Sequence, residues 1–340
     1  MTNFPRMRAY WYIVCTMRQL GHRPLARSLL GTPLVIFRDG DGHPAALLDR
    51  CPHRNVPLSA GRRAGPHLAC PYHGWQFDGQ GVCRAVPGLC DFAEQPARNV
   101  PAYAATEQDG FVWVWAEPGV APAAPPPRFP YLGAAGYISI TGAASVDAAL
   151  PDAAENFLDG THTHFVHAGL IRTEGQRREV SAIVRRGADC VEAEYPDEGQ
   201  QSGFISRLFG AQVDVMFGRF RLPSVVELEY RARGRVKLLM TLCFTPETDT
   251  RQSLFAVASG QAPRLLAGPA AVAIRLLFRQ ALRQDLRILQ AQSANVWRFG
   301  GPQYVYTELD VLGPHILHLL KHGPAPVAEG AREKRLRMRL

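Results

Sequence analysis

Apolar and polar positions alternate in short runs through the first third of the chain. Pro33 to Phe37 (PLVIF), Ala45 to Leu48 (AALL) and Phe111 to Trp115 (FVWVW) read as strands separated by Gly, Pro and Asp turns. The pattern predicts a small antiparallel β domain from Tyr10 to Trp115. From Glu117 to Pro130 the sequence EPGVAPAAPPPRFP is too rich in proline for a helix or a central strand and reads as a semi-rigid connector. Beyond it, Ser224 to Arg233 (SVVELEYRAR) and Lys237 to Phe244 (KLLMTLCF) alternate again as strands of an antiparallel sheet. A long helical period follows from Ala270 to Val296. The expected organisation is therefore 1–125, 126–322 and a tail at 323–340, Pro/Gly-rich and then basic (AREKRLRMRL), which reads as a solvated end.

Composition narrows the class. With 340 residues and 46% hydrophobic content the chain has material for the cores of two domains, which excludes a disordered protein. Seven scattered cysteines do not form a disulfide framework, and the start MTNFPRMRAYWY lacks a secretory apolar stretch, so a reducing cytoplasm is the expected location. The longest apolar stretches are broken by Arg or Gln, as in AVAIRLLFRQALRQDL, which predicts a soluble protein without a membrane span. A net charge of +8 comes with no nucleic-acid-binding motif. It predicts instead a basic surface that favours acidic protein partners or anionic substrates.

Two short loops carry the first chemistry. Cys51-Pro52-His53 and Cys70-Pro71-Tyr72-His73 each hold one thiolate and one imidazole, with 16 residues between His53 and Cys70. A structural Cys₂His₂ zinc site also needs four such ligands, but it favours a cysteine pair followed by a histidine pair. Mixed loops are expected when each loop supplies one ligand to each of two irons. Cys15, Cys83, Cys90, Cys190 and Cys243 have no partner at ligand spacing and read as core or loop residues.

The wider runs CPHRNVPLSAGRR (Cys51 to Arg63) and CPYHGWQFD (Cys70 to Asp78) resemble the Rieske fingerprint of the aromatic-ring hydroxylating oxygenases. The resemblance implies an α+β protein: an all-β Rieske domain followed by an antiparallel-sheet, helix-grip (START-like) catalytic domain. It also implies a [2Fe–2S] cluster, with Cys51 and Cys70 on one iron and His53 and His73 on the other. Neutral imidazoles in place of two thiolates raise the cluster's reduction potential.

A second constellation lies at Glu155 to His167, ENFLDGTHTHFVH. The spacing of Asp159, His162 and His167 resembles the mononuclear-iron motif of the same family, with His164 as a surface residue or a neighbour of the ligands. In a regular helix, His162 and His167 would point about 140° apart at roughly 100° per residue. The backbone must therefore deviate, and Gly160 and Gly169 permit this. Non-haem Fe(II) oxygenases commonly add one carboxylate to two histidines. Asp285 is the choice, because it falls inside an apolar helical stripe of Ile274, Leu277, Phe278, Ala281, Leu282, Ile288 and Leu289. The family's Gln-Asp-x-x-Ile-Leu context agrees. Pairing of Asp285 with Arg283 or Arg287, and Glu155 as the third ligand, are the competing readings.

The resemblance further implies that Asp159 is not a ligand but bridges to His73 of a neighbouring protomer in a head-to-tail homotrimer. It places Asn156 near the iron, where the alternative is a helix cap. The implied cofactors are the cluster, a mononuclear Fe(II) and O₂, with NAD(P)H acting through a separate ferredoxin or flavin reductase, since no G-x-G-x-x-G fingerprint appears. The expected activity is hydroxylation, cis-dihydroxylation or demethylation of an aromatic or cyclic small molecule, and the layout resembles the vanillate demethylase and dicamba monooxygenase branch. Candidate pocket residues are Phe157, Leu158, Phe165, Val166 and the segment Phe204 to Phe217. Arg207, Arg219 and Arg221 are candidates for a substrate carboxylate. A Rieske electron carrier without oxygenase activity, and a zinc-stabilised helix-grip binding protein, are the alternative functions.

Overall fold

A computed structural model describes residues 7–173, 175, 177–196, 213–261, 267–326 and 333–340. They form two compact units: Met1–Arg128 with Thr245–Asp249, and Phe129–Phe244 with Thr250–Leu340. Among the described residues no helix is long and apolar enough to cross a membrane.

The first unit is built from short strands. They are β1 (Trp11–Thr16), β2 (Leu25–Leu29), β3 (Thr32–Arg38), β4 (Pro44–Leu48), β5 (Arg62–Ala64), β6 (His67–Ala69), β7 (Gln76–Phe77), β8 (Cys83–Ala85), β9 (Ala102–Tyr103), β10 (Ala105–Gln108) and β11 (Phe111–Trp115). They make three antiparallel sheets, ordered β1-β11-β10, β2-β3-β4-β9 and β5-β6-β7-β8. Val35, Phe37, Leu47, Leu58, Leu68, Phe77 and Val100 bury a common core that includes Cys51 and Cys70. Gly61 lets the chain pass close to β6, because a Cβ there would lie 2.1 Å from the Ala69 carbonyl oxygen.

The second unit centres on one eight-stranded antiparallel sheet. Its strands are β12 (Tyr137–Val146), β13 (Glu179–Arg186), β14 (Cys190–Pro196), β15 (Val215–Arg221), β16 (Val225–Ala232), β17 (Arg235–Thr248), β18 (Arg251–Gln261) and β19 (Glu333–Arg339). The order is β12-β18-β17-β16-β15-β14-β13-β19. Val191, Ala193 and Tyr195 on β14 and Met216, Gly218 and Phe220 on β15 alternate into the buried face. Helices α1 (Leu150–Leu158), α2 (Ala267–Arg298) and α3 (Gly313–His322) complete the unit, with α1 lying on β15 and β16 and touching both other helices. Gly218 permits that approach: a Cβ would sit 3.2 Å from Leu158 Cδ2. This is the strand-rich α+β architecture expected.

One expectation is overturned. The basic tail does not end in solvent, because Glu333–Arg339 pairs with β13 from Glu179↔Arg339 to Arg185↔Glu333. Leu336 is half-buried, and Met338 and Leu340 are buried on the same alternate face, a period-two signal carried by only three residues among charges.

Candidate metal centres

The two cysteine loops are built alike. The Cys51 carbonyl accepts from Asn55 N (2.8 Å) and its N–H donates to Val56 O (3.0 Å); the Cys70 carbonyl accepts from Gly74 N (3.2 Å) and its N–H donates to Trp75 O (2.8 Å). The residue four places after each cysteine is left-handed, with φ 60° at Asn55 and 70° at Gly74. This equivalence was missed in the sequence, although an Asn and a Gly at the same offset are its signal. Both thiols are buried, whereas His53 and His73 are exposed with ring centroids 4.6 Å apart. Trp75 stacks on His53 at 4.9 Å and 6°. Burial pushes the Cys51 thiol up to about 11, and the neighbouring Cys70 adds to this. A metal that binds the Cys51 sulfur would displace that proton. A buried sulfur pair and an exposed imidazole pair on two equivalent loops fit the ligand set of a [2Fe–2S] cluster.

The second centre begins where α1 stops. Asp159 caps the helix end and accepts at Oδ1 from Thr161 N (2.7 Å) and Oγ1 (2.6 Å), and at Oδ2 from His162 N (3.2 Å). His162–His164 then forms a single 3₁₀ turn, and turns continue to Gly169 at φ 78°. The regular helix is thereby abandoned, as the spacing requires. Arg172 Nη1 donates to Gly160 O at 2.7 Å and holds the loop in place.

Asp285 reaches this loop from α2. Its Oδ1 lies 3.4 Å from His162 Nε2 and 3.0 Å from His167 Nε2, and the three donor atoms fall within 4.8 Å of one another. Asn156 Nδ2 donates to the same Oδ1 at 3.0 Å, so Asn156 serves this site and not a helix cap. The expected stripe holds at Leu277, Phe278, Ala281, Leu282 and Leu289, while Ile288 is exposed and the Ile274 side chain lies outside the described residues. Arg283 and Arg287 are exposed.

Sequence reasoning missed Gln284. Its Oε1 lies 2.9 Å from His167 Nδ1, which orients the ring with Nε2 toward Asp285. A ring nitrogen 3.0 Å from a buried carboxylate oxygen is a pair that a shared cation, a proton or a metal ion, would satisfy. Burial opposes charge on His162, but the Asp159 and Asp285 carboxylates outweigh it and raise it to about 9. Burial also opposes charge on Asp285, yet His162, His167 and Asn156 hold it below the usual carboxylate range. Two imidazoles and one carboxylate, each oriented by a neighbour, fit a mononuclear iron.

The other candidates fall elsewhere. His164 is buried, with Nδ1 3.0 Å from Thr173 O, and is not a surface residue. Glu155 is no third ligand, since its carboxylate lies against Gly313. Phe165 is 59% exposed beneath the Arg177 guanidinium rather than lining a pocket. Arg219 pairs with Glu192 and, at 2.6 Å, with Glu229, so it is committed within the sheet. Arg221 is exposed 3.9 Å from Asp189. Arg207 and residues 204–212 lie outside the described residues.

Comparison with known proteins gives two family matches. Residues 10–103 match the Rieske [2Fe–2S] domain, and residues 146–322, just over half of the chain, match the vanillate O-demethylase oxygenase C-terminal domain. The oxygenase component of dicamba O-demethylase from Stenotrophomonas maltophilia is 37% identical over 185 residues, which span 53% of this chain and 54% of that protein. The vanillate O-demethylase oxygenase subunit of Pseudomonas sp. strain HR199 is 28% identical over 336 residues, 89% of this chain and 90% of that protein. The crystal structure of dicamba monooxygenase bound to dicamba superposes with a TM-score of 0.77 at 26% identity, covering 93% of this chain and 97% of that one. The chain therefore belongs to the family that joins a Rieske [2Fe–2S] domain to a vanillate O-demethylase oxygenase C-terminal domain.

Proposed function

We propose that the chain is the oxygenase component of a cytoplasmic Rieske non-haem iron system. It takes electrons from a separate ferredoxin or flavin reductase and uses O₂ to demethylate or hydroxylate an aromatic or cyclic small molecule. The observation that carries this reading is the convergence of His162, His167 and Asp285 in a second centre, for which an electron carrier has no use. The names of the dicamba and vanillate relatives favour demethylation.

Cys51 and Cys70 would hold one iron of the cluster and His53 and His73 the other, and the cluster would supply one-electron transfer. His162, His167 and Asp285 would hold the mononuclear iron, which would supply the chemistry of O₂ reduction. Asn156 fixes the carboxylate of Asp285, and Gln284 orients the ring of His167. Asp159 faces His162 Nδ1 at 3.5 Å and bridges it to His73 of a neighbouring copy in a head-to-tail trimer. Each chain then completes the site of the next.

The test is reconstitution with a ferredoxin, its reductase and NADH. O₂ uptake with formaldehyde release from vanillate or dicamba, or hydroxylation within a panel of aromatic compounds, is the expected result. Cluster reduction with no O₂ consumption across the panel would leave only the electron carrier.

A further inference from the structure

A cavity of about 410 Å³ opens along the polar face of α1. Asp152 and Glu155 line it from one face of α1, at positions i and i+3, and Asp159 lines it from the residue that caps the helix end. Tyr304, Tyr306 and Asp310 line it from the segment between α2 and α3, with Gln292 from α2, Tyr195 from β14 and Met338 from β19. No lysine, arginine or histidine is among its lining residues. Four carboxyl groups thus share one partly enclosed space with no cationic side chain in its lining.

Three of the four have donors. Asp152 accepts from the Tyr304 hydroxyl at 2.9 Å, Asp159 accepts from Thr161 and His162, and Asp310 accepts from Thr307 N at 2.5 Å and Oγ1 at 3.1 Å. Among the described residues nothing donates to the Glu155 carboxyl. It is also the central one, with Asp152 three residues before it, Asp159 four after and Asp310 across the cavity. Gly313 makes room for it, because a Cβ there would lie 1.9 Å from Glu155 Oε1. Like charges in a confined space leave a proton on the group least able to shed charge onto donors.

We infer that Glu155 carries an exchangeable proton that sets the charge beside Asp159, and that electron transfer past Asp159 is fast with this proton on and slow with it off. The inference rests on the proposed role of Asp159 as the bridge between the two centres. A neutral Glu155 leaves one negative charge fewer near the path of an incoming electron, whereas an ionised Glu155 opposes it. Burial, followed by Asp310, Asp159 and Asp152, raises Glu155 to about 7. The proton therefore exchanges near neutral pH, through a cavity open to water. The overall reaction, in which a substrate C–H, O₂, two electrons and two protons give C–OH and water, consumes protons as electrons arrive. Glu155 holds its own proton throughout a turnover, and the two consumed protons come from solvent.

Glu155→Gln imitates the protonated side chain and separates this role from a structural one. The first readout is reoxidation of the dithionite-reduced cluster by O₂ alone, in protein loaded with mononuclear iron and, as reference, in protein stripped of it. The iron-dependent part of the rate should fall about tenfold per pH unit above a midpoint near 7 in the wild type. It should stay within about twofold of its low-pH value in Glu155→Gln, while Glu155→Asp keeps an alkaline limb. The second readout needs no metal. Glu155→Gln should match the metal-free wild type in thermal stability below about pH 4.5, exceed it increasingly as pH rises to about 7 and hold a constant advantage above that, because a carboxyl with a raised native pKa destabilises the fold once it ionises in the unfolded chain.

An alkaline limb that survives in Glu155→Gln would overturn the inference, as would a wild type whose iron-dependent rate is flat from pH 6 to 8. If the glutamine variant does not fold, the wild-type profile decides alone. Failure of the broader oxygenase reading would appear separately, as absence of iron from the second centre.

Discussion

Gln284 and His167 stand 2.9 Å apart, and the residue after Gln284 meets the other nitrogen of the same ring at 3.0 Å. Two consecutive residues of α2 thereby address both faces of one imidazole. Gln284 meets Nδ1 and Asp285 meets Nε2. Replacing Gln284 with leucine should weaken mononuclear iron binding roughly 10- to 100-fold with the cluster spectrum unchanged. Gln284→Glu keeps an acceptor toward Nδ1 and should retain most of the affinity. Iron titration of cluster-loaded protein measures both, and equal affinities in all three proteins would show that Gln284 does not orient the ring.

His162 gives the site a pH signature. Its native pKa of about 9 lies above the usual histidine value, so its contribution to the metal-free fold is complete below about pH 6.5 and is lost as pH rises through 9. At full extent this is worth roughly 3 kcal/mol. Metal-free wild type should lose that stability between pH 6.5 and 9 in denaturant unfolding, and His162→Ala should not. Iron must displace the same proton, so apparent iron affinity should weaken as pH falls below 9, by up to about tenfold per unit. Affinity independent of pH would remove His162 from the ligand set.

The strands and the two donor clusters are legible in the sequence because their signals are local. PLVIF, AALL and FVWVW fall within β3, β4 and β11, and the cysteine and histidine spacings lie inside single loops. Asp285 is legible because a charge inside an apolar stripe is conspicuous at helical period. Gln284 is not, since an amide at the stripe's edge resembles any half-buried polar residue until the loop from α1 is placed beside it. β19 is hidden for another reason: its pairing with β13 uses backbone groups, and its charged positions mask Leu336, Met338 and Leu340. The grouping of Thr245–Asp249 with the first unit depends on contacts distant in sequence, which no local pattern encodes.

Asp159 carries two acceptor oxygens, which is what a bridge between two imidazole N–H groups requires. Asparagine offers one acceptor and one donor, and the donor would face an N–H. Asp159→Asn should keep cluster and iron at wild-type content while electron transfer between centres falls by at least about 100-fold, a rise of roughly 3 kcal/mol in the barrier. Rapid-freeze electron paramagnetic resonance of the reduced cluster reads this directly. Transfer at the wild-type rate would exclude the bridging role.

Gly61 tests the packing that holds the cysteine loops. A methyl group there meets the Ala69 carbonyl, one residue before Cys70, so either the backbone shifts or the sheet opens. Gly61→Ala should destabilise the first unit by about 3 kcal/mol and lower cluster occupancy, with mononuclear iron binding in the second unit intact. Visible absorbance against total iron separates the two centres, and full cluster content in the variant would contradict this packing.

The most direct test of the two-centre account is iron and sulfide analysis of anaerobically purified protein, read together with its electron paramagnetic resonance spectrum. The account predicts about three irons and two sulfides per chain, with a Rieske signal on reduction and a separate mononuclear iron that disappears in His162→Ala. Two irons and two sulfides, unchanged by His162→Ala, or zinc in place of iron, would contradict it.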